Sequence, residues 1–395
     1  MKIRFFLLLL AGGFGMLTGC KRTLDAPIPA APGALWDSSG NIRTMLANPA
    51  CSCSLFDQAL IKAGMDSSYL FYTILVPSDS AMMAAGLTAA VINSLSSDSL
   101  HKIVGYHLIL GLYGDSSVLD NDTLTALLPS LRRDPSSVPE GQGQSGFAPV
   151  YYQQNLYIWN RGALYIDGIA SGAGRPVKAS NGWIYPINRV LLAPSQSVWS
   201  LLQSRPELSL YVAAIRLVDS FNTYNYVYGQ VYDSALFSNV YHYDVPNYPY
   251  PVLTNVTVLA PTNDAFAQAG FHTVDDLRNL ALQSLPAGGG FDGLDSVLKG
   301  HYLFEPTYPP LFYQDFLYSP VINNGIYNTN NWYMLLYQSN PSLTPVYPQF
   351  SGSNGTVSVQ WNPSLAPALL PAGTTPLLGT NGVISEIGQL FYPHN

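Results

Sequence analysis

The sequence predicts an α+β protein made of two copies of one domain, each combining β-strands with several short helices. The prediction depends on an internal repeat, because four short matches occur in the same order in the two halves of the chain. Two of these matches carry a clear structural pattern. One is a strand that ends at a proline before a short helix, and the other is an Asn-Gly turn between two apolar runs.

The strand-to-helix pattern occupies residues 74–86 and recurs at residues 258–270. In both runs an apolar strand ends at a proline, which cannot donate a hydrogen bond to a β-ladder. Short polar residues then offer an N-cap, and the helix ends at a glycine suited to the position after a C-cap. The repeated positions that carry this pattern are Pro77, Asp79, Pro261, Asn263 and Asp264. We expect the acidic side chains among them to serve as turn and helix caps.

The turn pattern is Asn181-Gly182 in the first copy and Asn381-Gly382 in the second. Asn-Gly between apolar runs is the strongest short-range signal for a β-hairpin. Residues 177–180 and 377–380 would be the incoming strands. We therefore predict that each copy closes on a hairpin.

The two remaining matches extend the repeat. Gly105-Tyr106-His107-Leu108 is matched by Gly300-His301-Tyr302-Leu303, and both follow a helix-like stretch. Residues 53–56 are matched by residues 208–211, where each run opens an apolar-periodic helix.

These motifs together resemble the fasciclin-like domain, over residues 40–194 and 196–393. The resemblance implies a compact wedge of β-strands with several short helices packed against it. It also implies a role in cell adhesion and matrix binding, through protein partners or glycans. The second copy departs from the family pattern because His301 precedes Tyr302, which puts a role for that pair in doubt.

The second copy is also enlarged by two tyrosine-rich insertions, near residues 221–251 and 305–376. Long loops of this kind are usually functional or disordered, and the aromatic content favours order. Tyrosine carries apolar area and a hydroxyl group and is common at recognition surfaces. Two interpretations stay open, that the insertions pack against the domain or that they bind a partner. The partner-binding candidates are Tyr224, Tyr226, Tyr228, Tyr232, Tyr241, Tyr243, Tyr248 and Tyr250.

The N-terminus is typical of an export signal. Lys2 and Arg4 precede an apolar run too short to span a bilayer, and residues 17–20 (Leu-Thr-Gly-Cys) resemble a bacterial lipoprotein lipobox. The resemblance implies cleavage after residue 19 and attachment of lipid to Cys20, which would anchor the chain in a membrane. Residues 20–39, rich in Pro, Ala and Ser, would be a tether. Lys21 resembles the sorting pattern for the outer membrane, with the cell surface and the periplasmic face both open.

Charged residues make up only 10% of the 395 residues, and the formal net charge is −7. This acidic balance disfavours nucleic acid as a partner, because nucleic-acid binding needs a basic face. The apolar content disfavours a disordered chain, and the scarcity of charge disfavours a coiled coil. Only the N-terminus approaches the length of a membrane-spanning run, so a polytopic helical membrane protein is also disfavoured.

Catalytic and metal-binding patterns are lacking in the sequence. The six histidines show no metal-ligand spacing, and no nucleophile elbow or phosphate-binding loop occurs. We expect His107 and His301 to be core histidines, and Cys51 and Cys53 to be small buried residues, although export would permit their oxidation. No cofactor or metal is predicted. A hydrolase hypothesis would depend on Asp79 and Asp264 alone.

The sequence therefore favours a lipid-anchored adhesion or interaction protein of the cell envelope, binding a protein or matrix partner without catalysis. An accessory glycan-binding lipoprotein of a nutrient-uptake system is the alternative, since tyrosines can also stack on sugar rings.

Overall fold

A computed structural model supplies the fold. The residues that it describes are 40–66, 72–114, 125–133, 153–160, 162–224, 234, 237–238, 240–242, 251–253, 256–283, 294, 297–298, 300–304, 309–318, 349–353, 355–360, 367–370 and 375–391. The predicted signal segment, Cys20 and the tether lie outside these ranges.

The N-terminal unit contains short helices and one large sheet. Its helices are α1 (Ile42–Leu46), α2 (Ser54–Lys62), α3 (Asp79–Ala84), α4 (Ala89–Ser94) and α5 (Ser97–Gly105). Its strands are β1 (Tyr72–Pro77), β2 (Leu108–Leu110), β3 (Ala126–Arg133), β4 (Gln153–Asn160), β5 (Leu164–Ile166), β6 (Ile169–Gly172), β7 (Val177–Ala179) and β8 (Gly182–Ile187). The strands form a sheet in the order β6-β5-β4-β3-β2-β1-β8-β7.

The parallel pair of β1 and β8 lies at the centre of this unit, with Tyr72 opposite Gly182. β1 is buried on both faces, as strands of parallel pairs usually are. Ile74 and Val76 point into a cluster lined by the helices, whereas Leu75 points into a second cluster formed with β3, β4 and β5. The central pair therefore has one hydrophobic layer on each face.

The C-terminal unit repeats this centre. Its helices are α6 (Val198–Gln203), α7 (Ser209–Tyr224), α8 (Asn263–Gln268), α9 (Val274–Gln283) and α10 (Tyr313–Tyr318). Its strands are β9 (Val240–His242), β10 (Pro251–Leu253), β11 (Val256–Pro261), β12 (Tyr302–Phe304), β13 (Gln349–Ser353), β14 (Thr356–Gln360), β15 (Ala368–Leu370), β16 (Leu377–Gly379) and β17 (Gly382–Ile387). They form sheets in the orders β12-β11-β17-β16, β10-β9 and β13-β14-β15.

The parallel pair β11–β17 matches the pair β1–β8 residue for residue, since Val256 lies opposite Gly382 and Pro261 opposite Ile387. Val256 and Val258 point towards the helices and Leu259 towards the β13-β14-β15 side. The two units therefore share one architecture, which confirms the α+β fold predicted from the repeat.

The strand-to-helix pattern folds as predicted in both units. β1 ends at Pro77 and β11 ends at Pro261. Ser78 and Thr262 then act as N-caps, each accepting a hydrogen bond from the amide three residues later, over 3.2 and 3.3 Å. The glycine that follows each helix, Gly86 or Gly270, has a positive φ angle that suits it to end the helix.

The helices are all short. Among the described residues, none is both long and apolar enough to cross a membrane. In helical proteins of this kind most of the helix stability comes from packing an apolar face rather than from intrinsic propensity.

The structure corrects the prediction made for Cys51 and Cys53. Both are buried, as expected, but their sulfur atoms form a disulfide, so the preference for two free thiols is wrong. Ser52 between them has a left-handed backbone, with φ 52°, which turns the chain back and brings the two Cα atoms to 5.3 Å, within the usual range for a disulfide. The disulfide closes the turn that leads into α2.

Gly182 offers a test of the central pair. A Cβ atom at this position would lie 2.2 Å from the Tyr72 carbonyl oxygen and 2.6 Å from Ile42 Cδ1. We expect Gly182→Ala to lower the free energy of unfolding by about 3 kcal/mol, because backbone cannot move aside as a flexible side chain can. Denaturant unfolding of the mature chain would measure the loss.

The matched control is Gly388→Ala, where a Cβ atom would meet nothing within 4 Å. Equal losses in the two variants would contradict the close approach of β8 to β1.

Candidate functional site

The two asparagines of the Asn-Gly turns close their units in the same way. Asn181 Oδ1 accepts a hydrogen bond from the Ile42 amide over 2.8 Å, and Asn381 Oδ1 accepts one from the Val198 amide over 2.9 Å. Asn381 Nδ2 also donates to the Ser238 carbonyl oxygen. Each asparagine therefore ties the first helix of its unit to the last hairpin, which is a structural role.

The two family-motif histidines are buried and have both ring nitrogens occupied. His107 Nδ1 lies 2.8 Å from the Ile103 carbonyl oxygen, and its Nε2 lies 2.9 Å from the Leu191 amide. Since an amide can only donate, Nε2 accepts and the proton resides on Nδ1. Burial lowers the pKa of His107 to about 4, so the ring is neutral at physiological pH.

His301 repeats this arrangement in the C-terminal unit. Its Nδ1 lies 2.9 Å from the Leu259 carbonyl oxygen, and its Nε2 accepts from the Phe391 amide over 2.9 Å. Burial lowers the pKa of His301 to about 3. Neither histidine has a ring nitrogen left for proton transfer or for a metal, which agrees with the expectation of core histidines.

The reversed order of His301 and Tyr302 does not exchange their roles. The backbone carbonyl of His107 and that of His301 each accept a hydrogen bond from the central strand of their unit, over 2.9 and 2.8 Å. His301 is therefore the counterpart of His107, and Gly300 is the counterpart of Tyr106. The doubt about the pair is resolved, because the histidine role is kept and the tyrosine role is absent from the second unit.

Asp79 acts as a cap for a helix other than its own. Its carboxylate accepts hydrogen bonds from the Leu55 amide over 2.8 Å and from Ser54 Oγ over 2.9 Å, at the start of α2. In the C-terminal unit Asn263 Oδ1 accepts from the Leu210 amide over 2.9 Å, at the start of α7. The prediction that Asp79 is a cap is confirmed, and its counterpart is Asn263.

Asp264 is not the counterpart of Asp79. It lies exposed in the first turn of α8, one residue after Asn263. Asp79 and Asp264 therefore stand in different units and do not converge, as a hydrolase that depended on these two carboxylates would require.

A buried carboxylate cluster of Tyr106, Asp167 and Arg189 lies behind the β5–β6 turn, and the sequence did not predict it. Asp167 Oδ2 accepts from Tyr106 Oη over 3.1 Å, and its Oδ1 accepts from the Tyr157 amide over 3.1 Å. Arg189 donates to Ser171 Oγ and to the Ile166 carbonyl oxygen. Burial raises the pKa of Asp167 to about 6, although the nearby guanidinium and the hydrogen bonds oppose the shift.

One local signal in the sequence could have located this cluster. Asp167-Gly168 stands between two short apolar runs and is a hairpin-turn dipeptide, as Asn-Gly is. The structure gives both residues a positive φ angle, 54° and 75°, as such a turn requires. Nothing local in the sequence indicates that the Asp167 side chain turns inward to meet Tyr106.

The two units meet at a junction that the sequence also did not predict. We define the junction as Thr125, Tyr157, Trp159 and Gly168 of the N-terminal unit with Phe312, Gln314, Asp315 and Tyr318 of the C-terminal unit. Asp315 accepts from the Thr125 amide over 2.7 Å, and Gln314 Nε2 donates to the Gly168 carbonyl oxygen over 3.3 Å.

Aromatic rings fill the rest of the junction. The Tyr157 and Phe312 rings lie 5.4 Å apart, and Trp159 stacks on Tyr318 with centroids 5.3 Å apart. Phe312, Asp315 and Tyr318 all belong to the second predicted insertion. The helix α10 of that insertion and the residue before it therefore pack against the N-terminal unit, whereas β13, β14 and β15 pack against the core of their own unit.

Most of the partner-binding candidates lie outside the described residues. Tyr226, Tyr228, Tyr232, Tyr243, Tyr248 and Tyr250 fall there entirely. Tyr224 and Tyr241 have a described backbone only, at the end of α7 and in β9. Whether the first insertion binds a partner stays a prediction.

The described residues do not assemble a catalytic or metal-binding constellation. No group of three or more His, Cys, Asp or Glu side chains with the geometry to hold a metal ion occurs among them. The buried histidines of the arrangement hydrogen-bond backbone groups and so fix strands and helices.

Comparisons with known proteins agree with this description. Residues 52–193 match the family model of the Fasciclin domain. Among solved structures, the chain is similar to a FAS1 domain pair from the insect cell adhesion molecule Fasciclin I, with 14% identity over 88% of this chain and 98% of that chain and a TM-score of 0.31. A search of curated proteins found no match.

The fold is therefore α+β, in two units with one central architecture. The Fasciclin family model matches residues 52–193 in the first unit, and the second unit repeats the central strands, the hydrogen bond to histidine Nε2 and the hydrogen bond to the asparagine side chain.

His107 offers a test of the structural role of the motif histidines. We expect His107→Ala to lower the free energy of unfolding by about 3 kcal/mol, because it leaves the Leu191 amide and the Ile103 carbonyl buried without partners and opens a cavity. Denaturant unfolding would measure the change. The control His101→Ala, at an exposed position of α5, should change stability by less than about 0.5 kcal/mol. A stable His107→Ala variant would rule out the structural role.

Proposed function

We propose that this chain is a lipid-anchored protein of the cell envelope whose two fasciclin-like units bind a protein or matrix partner, without catalysis. The observation that carries the proposal is the match of residues 52–193 to the Fasciclin domain, together with a second unit that repeats its central contacts. The adhesion role comes from that likeness.

The hydrogen bonds made by the polar core residues support a binding role over a catalytic one. Catalysis needs titratable groups that converge on a space open to substrate. The side chains of His107, His301 and Asp79 all form hydrogen bonds with groups of their own unit. Asp167 and Asp315 are buried, and their oxygen atoms accept hydrogen bonds from protein groups.

The partner surface that we propose is the first insertion, residues 221–251, with its eight tyrosines. The second insertion supplies Phe312, Asp315 and Tyr318 to the junction, so its described part has a packing role. The glycan-binding alternative would use the same tyrosines, through stacking on sugar rings.

The binding role is tested by capture of target cells on beads that carry the mature chain. We expect Tyr241→Ser combined with Tyr243→Ser to weaken capture about tenfold, because two aromatic contacts at a recognition surface contribute about 1 kcal/mol or more together. The control is Leu192→Ser, which alters a side chain that is 71% exposed in the N-terminal unit. Unchanged capture by the tyrosine variant would remove the first insertion from the proposal.

Treatment of the target cells separates the two partner classes. Capture that is lost after protease treatment of the target cells supports a protein partner. Capture that survives protease but is lost after periodate oxidation of sugars supports the glycan-binding alternative.

The anchor is tested at Cys20. We expect Cys20→Ser to abolish incorporation of a labelled fatty acid and to release the protein from the membrane fraction, because the lipid is attached through that sulfur. The matched control is the double variant Cys51→Ser and Cys53→Ser, which should keep the label. Labelling of the Cys20→Ser protein would contradict the anchor, and protease treatment of intact cells would decide between the surface and the periplasmic face.

A further inference from the structure

The polar centre of the junction is a single pair, Asp315 and Thr125. Asp315 is fully buried. Its Oδ1 accepts from the Thr125 amide over 2.7 Å, and Thr125 Oγ1 lies 2.9 Å from Oδ1 and 2.8 Å from Oδ2. Its Oδ2 also accepts from the Phe312 amide over 2.8 Å. The carboxyl group of one unit therefore takes two of its donors from a single residue of the other.

This carboxyl group lacks a charged partner. α10 packs against β13 and β14, neither of which carries a titratable side chain. The titratable groups on its own helix and around the junction include Tyr313, Tyr318, Tyr157, Tyr165, Asp167, Arg189, Arg132 and Glu386. Within the described part of the chain, none of them forms an ion pair with Asp315.

The hydroxyl of Thr125 allows the pair to survive protonation of the acid. A hydroxyl both donates and accepts, whereas a carboxylate only accepts. With Asp315 ionised, Thr125 Oγ1 donates to it. With Asp315 protonated, the acid O–H can donate to Thr125 Oγ1 instead, and the two amides can still donate to the carboxyl oxygens. The neutral pair keeps a hydrogen bond between its side chains and buries no charge.

We propose that the junction is a pH-sensitive contact between the two units, which protonation of Asp315 closes and ionisation of Asp315 loosens. Both sides of this contact belong to the same chain, so the protonation state of Asp315 sets how firmly the two units are held to each other. It requires no ligand and goes beyond the proposed binding function.

The direction of the pH effect on the junction follows from the burial of Asp315. Burial raises its pKa from 3.8 to about 6, against the opposing effect of the hydrogen bonds from Phe312 and Thr125. When the junction opens, the carboxyl group regains water and an ordinary pKa. The contribution of the closed junction is therefore complete below about pH 4 and is lost as the pH rises through about 6. A difference of about two pKa units corresponds to a change on the order of a hundredfold in the ratio of closed to open forms.

A second carboxyl group lies close by and must be separated from the first. Asp167 also has a pKa raised to about 6 by burial, and the turn that it shares with Gly168 contacts Gln314. It differs from Asp315 because Arg189 lies near enough to oppose the shift, and because Tyr106, Tyr157 and Arg189 all belong to its own unit. Its titration should act on the N-terminal unit more than on the contact.

Amide hydrogen exchange of the full mature chain tests the proposal at Thr125. Its amide donates across the junction, so its protection reports the closed form, after correction for the intrinsic dependence of exchange on pH. We expect protection to fall about tenfold between about pH 5 and about pH 7.5, because the rest of the change lies below pH 5. The reference is the Leu311 amide, which donates to Thr257 Oγ1 within the C-terminal unit and should keep its protection.

Two variants test whether Asp315 or Asp167 causes the pH dependence of Thr125 protection. Asp315→Asn should make the protection of Thr125 independent of pH, whatever its absolute level, whereas Asp167→Asn should leave the pH dependence in place. Equal protection of Thr125 at the two pH values in the native chain would overturn the proposal, as would loss of the dependence in Asp167→Asn alone.

A direct titration covers the case in which Asp315→Asn fails to fold. The ¹³C carboxyl signals of the native chain would be followed across the same range. A buried aspartate that titrates near 6 and whose titration shifts in a Thr125→Val variant supports the proposal. The absence of any aspartate signal titrating near 6 overturns it.

Discussion

The parallel pairing of β1 with β8, and of β11 with β17, is the contact on which the rest of each unit depends. The paired strands come from opposite ends of their unit's sequence, so the pairing closes a long stretch of chain before its contacts stabilise anything. Each central strand is buried on both faces, with helices on one side and further strands on the other. Both hydrophobic layers lose the surface against which they pack if the two strands separate. His107 and His301 hold the pair together at one end. The ring of each accepts from an amide after the last strand, and the backbone carbonyl of each accepts from the first strand.

This constraint explains why the polar core residues do not form an active site. A buried donor or acceptor without a partner costs about 1–3 kcal/mol, so the motif side chains make hydrogen bonds within their own unit. Asn181 and Asn381 satisfy helix amides, and Asp79 and Asn263 satisfy the first turn of a neighbouring helix. Function is left to surfaces and insertions, where the sequence differs between the two units. The second insertion shows one such use, because it provides α10 and the contact that joins the units.

The sequence was informative wherever the determinant was local. Strand ends at Pro77 and Pro261, their caps and the two Asn-Gly hairpins depend on residues within a few positions of one another, and all are present. The junction and the Tyr106–Asp167 pair were missed because their partners lie far apart in sequence, and polarity alone does not tell an inward-facing aspartate from an exposed one. The match of Tyr106-His107 with His301-Tyr302 was placed one residue out of register, since the shared glycine aligned more easily than the histidine carbonyl that sets the strand register.

The buried titratable groups act on stability with opposite signs, which bears on how the junction can be observed. His107 and His301 have lowered pKa values, so their contribution is present above about 6.5 and is lost as the pH falls towards 4. Asp167 and Asp315 have raised pKa values, so their contribution is present below about 3.8 and is lost as the pH rises through about 6. Between about pH 4 and pH 6 the unfolded chain carries its extra protons on the histidines, and the folded chain carries them on the carboxyl groups. The contributions of these four groups to the free energy of unfolding therefore oppose one another there, while the junction, where Asp315 is present and the histidines are not, changes in one direction. A measurement local to Thr125 reports the effect of Asp315 without the opposing effect of the histidines.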